Sequence, residues 1–277
     1  ASQWRDPRTE SPTVTAPRKA LELFLNLGVS GALITGALQP LAPSQAQTHQ
    51  HHGGGLQRAD EGGEGGEGGE GGSESHGTAV ETSVDLLVVL AQMQGHLLVA
   101  QELLNQRQFS AAEPHVGHPV DELYGAVDPL LTKRGVAPFL PSLEALRQQV
   151  RLNPSAPATR QKLLAAQRAI QRAGLAAVPA GVRGQTSTQR AVVRGLSAAA
   201  CSEYAAAVAN GRVMETIEYQ DARGYLLEAQ RLLSGGGAAQ AQALKTVKAM
   251  LRAFPSAQPP QRTLLSPEQL QRLQDQL

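Results

Sequence analysis

The segment His115-Val-Gly-His118-Pro-Val-Asp121-Glu122 sets two imidazoles three residues apart with two carboxylates close behind, and a solitary His96 precedes it by about one helix. The other four histidines, His49, His51, His52 and His76, all fall in the glycine-rich front of the chain. Imidazole nitrogen and carboxylate oxygen are the donor set of transition-metal sites, and iron, zinc, copper and manganese all accept it. The candidate ligands are His96, His115 and His118 with a carboxylate drawn from Glu122, Glu218 and Asp221. Plainer roles exist for the same residues: His118 could cap a helix that begins at Pro119, with Asp121 and Glu122 favoured in its first turn by the helix dipole. Glu215, Glu218 and Asp221 recur every three residues, as a solvated acidic face would. Glu218 and Asp221, beside Ile217 and Tyr225, are read as facing His96, and Glu215 and Glu228 as facing water.

Other chemistries lack their residues. The chain has no Gly-x-Ser-x-Gly elbow, no His-Glu-x-x-His and no glycine loop for a nucleotide or phosphate, so no enzyme class is indicated and the chain is read as a non-enzyme. Four Phe, four Tyr and one Trp give little to line a haem pocket. Residues 79–277 carry 20 Lys and Arg against 15 Asp and Glu, scattered along helical patterns rather than clustered, which does not suit nucleic acid. Cys201 is the single cysteine, so no internal disulfide can form, and its neighbours Ala198, Ala199 and Ala200 make it a small core residue.

The elements that must position the ligands are helices. Arg18 and Lys19 precede an apolar run from Leu23 to Leu38, and Ser44-Gln45-Ala46 offers small residues for cleavage, so residues 1–46 read as a signal peptide and the mature chain as periplasmic or secreted. The rival reading is a retained membrane anchor, for which the run is shorter than the ~20 apolar residues a spanning helix needs. Cleavage after Ala46 would leave Gln47-Thr48-His49 at the amino terminus, a pattern that can hold Cu(II) or Ni(II). Residues 47–78, with their Glu-Gly-Gly repeat, offer nothing to bury and read as a disordered tether whose His and Glu side chains could gather cations. From residue 79 to residue 277 Ala, Leu, Gln and Arg dominate, which predicts an all-α antiparallel bundle of about five to seven helices and no sheet. Starts are expected at Ser110 with Glu113, at Pro119, at Pro141 and at Ser266-Pro267-Glu268-Gln269. Breaks are expected near Gly135, Asn153-Pro154, Ala173-Gly174, Asn210-Gly211 and Gly235. Pro114 and Pro119 should keep His115 and His118 on a tight connector between helices.

Gln94-Gly95-His96-Leu97-Leu98 through Leu104 aligns without a gap to Arg223-Gly224-Tyr225-Leu226-Leu227 through Leu233, which reads as one helix pattern used twice. A glycine inside a helix costs about 1 kcal/mol unless packing uses the space, so Gly95 and Gly224 each mark a close helix crossing.

Gly95-His96-Leu97-Leu98 with Glu102, the HxxHPxDELY segment over His115 to Tyr124, and Glu218-Tyr219-Gln220-Asp221-Ala222 together resemble a group of exported bacterial helical proteins that also begin with glycine-glutamate repeats and have no assigned activity. More distantly, a Gly-His element in an exported bundle resembles the imelysin-type iron-regulated proteins. Their motif is Gly-x-His-x-x-Glu, whereas here Gly95 adjoins His96 and Glu102 follows six residues later. The expectation is an exported metal-binding helical bundle serving transition-metal capture or homeostasis, with metal ions as its ligands and no nucleic acid or nucleotide partner. The alternative is a metal-free helical adaptor whose Ala- and Leu-rich faces pack on a membrane-associated protein.

Overall fold

The computed structural model describes residues 80–277, so the expected signal peptide and tether lie outside the described residues. What it describes is an all-α bundle: α1 (Ser83–Asn105), α2 (Phe109–His118), a five-residue π-helical turn (Pro119–Leu123), α3 (Tyr124–Lys133), α4 (Leu140–Leu152), α5 (Pro157–Ala177), the single-turn α6 (Ala180–Arg183), α7 (Thr186–Ala207), α8 (Thr216–Leu233), α9 (Ala238–Met250), a 3-10 turn (Leu251–Ala253) and α10 (Pro267–Gln274). Of these, α1, α4, α5, α7, α8 and α9 run thirteen residues or more.

The first long helix, α1, is the spine. Thr82 and Asp85 start it with a reciprocal capping box, each side chain serving the other's backbone N–H at 3.1 and 2.9 Å. Helices α2, α5, α7 and α8 pack around α1, which explains why its buried residues occupy every face. By length and composition α1 is apolar enough to cross a membrane, and these neighbours account for that apolarity. Leu86, Leu90, Met93, Leu97 and Ala100 turn toward a core shared with α2 to α5, where Leu143, Leu146, Leu163 and Ile170 are buried. Ala91, with the half-buried Leu87 and Val88, turns toward a second core built by Leu196, Tyr204, Tyr219, Leu226 and Phe254.

Where α1 meets α8 the two backbones touch. A Cβ on Gly95 would lie 2.9 Å from the Gly224 carbonyl carbon and oxygen, and one on Gly224 would lie 2.5 Å from the Gly95 oxygen. The two glycines of the aligned helices therefore mark a single crossing, each being the other's partner.

Several expected boundaries shift for physical reasons. Helix α5 runs through Ala173-Gly174 to Ala177, because Gly174 is used for packing: a Cβ there would reach 3.4 Å from Leu90 Cδ1. Asn210 and Gly211 form the expected turn, both at positive φ (53° and 70°), but its flanks pair as a two-residue antiparallel hairpin, Val208–Ala209 with Arg212–Val213, so a small sheet is present after all. Helix α2 starts at Phe109 without a side-chain cap, so Ser110 and Glu113 are interior, and Glu113 pairs with Arg151 at 2.6 Å. Ser266 and Gln269 do form the capping box of α10. Cys201 is buried as expected, and burial, then Asp275, pushes its thiol up to about 12.

The crossing predicts a contrast between glycines. Gly224→Ala should lower stability by about 1–3 kcal/mol, since backbone has no rotamer with which to yield. Gly125→Ala in α3, where a Cβ meets nothing within 4 Å, should raise it by about 0.5–1 kcal/mol. Urea midpoints check this, and equal effects at the two sites would contradict a backbone-limited crossing.

Candidate metal centre

The crossing delivers the first two groups. His96 follows Gly95, and on α8 Asp221, Gly224 and Tyr225 share one face at i, i+3 and i+4. His115 and His118, spaced i and i+3, share one face of α2 and come in from a third direction. The pair thus sits on a helix rather than a connector: Pro114 lies inside α2, and at Pro119 the chain opens into the π-helical turn instead of breaking. Proline lacks the N–H for the ladder and its ring crowds the carbonyl four residues back, and a widened turn accommodates both. The His118 side chain accepts no capping hydrogen bond there. Arg147 of α4 fastens this turn through Asp121 at 2.7 and 2.5 Å, so Asp121 is a structural anchor and stands apart from the imidazoles.

Three ring nitrogens of one kind converge on one carboxylate. Nδ1 of His96 and Nδ1 of His115 each lie 2.8 Å from Asp221 Oδ1, and Nδ1 of His118 lies 3.3 Å from Oδ2. One ligand atom from each of His96, His115, His118 and Asp221 can be chosen so that all lie within 4.8 Å of one another, and all four residues are buried. The nitrogen-to-oxygen separations of 2.8 to 3.3 Å suit bonds of about 2.0–2.2 Å to a shared ion. The carboxylate is 5% exposed, which is unfavourable without compensation.

The far side of each ring is also engaged. His96 Nε2 meets the Tyr225 hydroxyl at 3.0 Å, His115 Nε2 meets Gln220 Oε1 at 2.7 Å, and His118 Nε2 faces Glu122 Oε1 at 3.9 Å. Outer hydrogen bonds of this kind orient metal-ligating imidazoles. Despite their closeness to Asp221, Nδ1 of His96 and Nδ1 of His118 lack the alignment of a hydrogen bond and have no such partner. Buried nitrogens of this sort are uncommon and call for a proton or a cation.

Electrostatics separate the four groups. Burial would raise the Asp221 carboxyl, but the facing His96, His118 and His115 rings prevail and hold it well below the usual range. Burial lowers His96 against the pull of Asp221. Burial also works against protonated His118, yet Asp221, Glu122 and Glu203 outweigh it and lift the ring to about 9. Burial, then the Asp221 charge, lifts the Tyr225 hydroxyl well above 10.

Of the six residues picked from sequence, four make the cluster. Glu122, half-buried, stands beside His118, and Glu218, 8% exposed in the first turn of α8, lies outside the ligand set. Burial raises the pKa of both. Glu228 is only 2% exposed and forms a bidentate pair with Arg231 at 2.6 Å, contrary to its solvated reading, because it falls on the face of α8 that packs into the bundle. Two residues were missed. Gln220 adjoins Asp221 and carries no spacing signal. Glu203 comes from α7, and burial, then Asp221 and Glu218, push it up to about 8.

That shift has a definite sign. A carboxyl raised from 4.5 to about 8 in the folded state binds its proton more tightly there than in the unfolded chain. Its contribution to stability is therefore complete below about 4.5 and is lost as pH rises toward 8. Glu203→Gln should raise the melting temperature of the metal-free protein at pH 8 and leave it nearly unchanged at pH 4.5. A uniform shift at both pH values would contradict this.

Residues 179–277 match the family model described as the iron permease-associated 4-helix bundle domain. The matched stretch holds α6 to α10, and so Asp221, Gln220 and Tyr225, while the three histidines come from the part before it. No curated protein and no solved structure matches the chain.

Proposed function

We propose that this chain holds a transition-metal ion through His96, His115, His118 and Asp221, with iron as its working species, and serves an iron permease at a membrane as an exported binding protein. The observation that carries the reading is the convergence of three buried Nδ1 atoms on one buried carboxylate, two of them without a hydrogen-bond partner. In a metal-free protein the buried carboxylate is offset chiefly by protonated His118, whereas a bound cation would satisfy every member at once. Iron is favoured over the other ions because the family matched by residues 179–277 is named for an iron permease. The same name supports a membrane permease as the partner. Export rests on the apolar run from Leu23 to Leu38 and the small residues ending at Ala46.

The ligand set supplies binding and does not specify turnover. His96 on α1, the α2 pair and Asp221 on α8 join separate stretches of chain, so a bound ion staples them together and should stabilise the fold. Fe(II) added without oxygen, or Zn(II), at about 100 times its dissociation constant should add about 2.7 kcal/mol. That corresponds to a rise of roughly 5–10 °C in melting temperature for a chain of this size. Asp221→Ala should abolish the rise. Binding should weaken as pH falls, since protons compete for the imidazoles. An unmoved melting temperature with both ions, together with metal-free protein from native preparations, would instead leave a helical adaptor.

A further inference from the structure

Gln220 is the neighbour of the centre whose orientation is fixed from outside. Its Nε2 donates to the Ala257 carbonyl at 3.0 Å, so the amide must present Oε1, an acceptor, to His115 Nε2 at 2.7 Å. An acceptor there requires His115 to carry a proton on Nε2. In a neutral ring that leaves Nδ1 bare and aimed at Asp221 Oδ1, 2.8 Å away. Two lone pairs at that distance repel, so the arrangement is satisfied by a second proton or by a cation bound to both atoms.

The Ala257 segment is itself clamped. Its N–H donates to Glu102 Oε1 at 2.9 Å, Glu102 Oε2 accepts from Arg223 Nε at 2.9 Å, Arg223 also donates to the Phe254 carbonyl, and the Tyr219 hydroxyl donates to the Ser256 carbonyl at 3.1 Å. Ala257 is fully buried. Tyr219, Gln220 and Arg223 of α8 thus hold the segment after α9 in place, and that segment in turn fixes the Gln220 amide.

We propose that Gln220 is a positioning residue that commits His115 to binding metal through Nδ1, and that the clamped Phe254–Ala257 segment is what holds Gln220 to that task. The inference rests on the metal-binding reading and deepens it. Gln220 touches no ion and acts only through the His115 tautomer. Loss of such an outer partner commonly weakens metal binding 10- to 100-fold.

The test uses Zn(II), a diamagnetic probe, with the full chain and two variants. Gln220→Leu removes the acceptor for His115 and the donor for Ala257. Gln220→Glu keeps the acceptor but loses the donor. Both should lower the metal-free melting temperature to a similar extent, yet Zn(II) affinity should fall about 10- to 100-fold in the leucine variant and stay within roughly threefold of the parent in the glutamate variant. Equal losses of affinity in the two variants would overturn the proposal and assign Gln220 a purely structural part. Should the leucine variant fail to fold, nitrogen-15 spectra of the Zn(II)-loaded parent decide: His115 bound through Nδ1, with a slowly exchanging Nε2–H, is the expected result, and binding through Nε2 overturns it. A parent protein that takes up neither Zn(II) nor Fe(II) is a different result, one that removes the metal-binding reading itself.

Discussion

The site depends on two side chains that are absent. Because Gly95 and Gly224 lack Cβ atoms, α1 and α8 approach until backbone meets backbone, and the residues beside the contact are brought within hydrogen-bond reach: His96 on one helix, Asp221 and Tyr225 on the other. A methyl group at either glycine would push apart the two helices that carry the carboxylate and its first imidazole. The two cores on either side of α1 then hold the crossing in register.

Upon that contact the protein builds an arrangement that is unfavourable in isolation. One buried carboxylate faces three buried imidazoles, and each ring's outer nitrogen faces a separate partner, Tyr225, Gln220 or Glu122. Asp221 first, then Glu122 and Glu203, keep the His118 ring positively charged, and burial with the neighbouring Asp221 and Glu218 leaves Glu203 reluctant to ionise. One ionised carboxylate among three nitrogen donors, with further carboxyls close by, suits a cation better than it suits an empty core. The chain divides the labour: the stretch matched by the iron permease-associated family supplies the carboxylate and two of the outer partners, and the helices before it supply the imidazoles.

Much of this could be read from residue order, and the reasons for the remainder are specific. His96, His115 and His118 stood out because residues 79–277 hold no other histidine, while Asp221 was one of three candidate carboxylates that residue order alone did not separate. The glycine pair stood out because a helix interior tolerates glycine only for packing. Gln220 was invisible, since its role comes from a carbonyl 37 residues away and from a ring on another helix. Pro114 and Pro119 suggested a connector, because local rules register the lost N–H of proline but not the packing against α1 and α4 that keeps the segment helical. Glu228 looked solvated because its burial is decided by which face of α8 packs inward, and a charge on a helix does not announce its face.

The central claim is that three imidazoles and one carboxylate share a single ion. X-ray absorption of the iron-loaded protein tests it most directly. The account predicts a first shell of light N and O donors at about 2.0–2.2 Å with the multiple scattering of about three imidazole rings, and the loss of that shell in Asp221→Ala. A shell of oxygen alone, without ring scattering, would place the iron elsewhere and contradict the account.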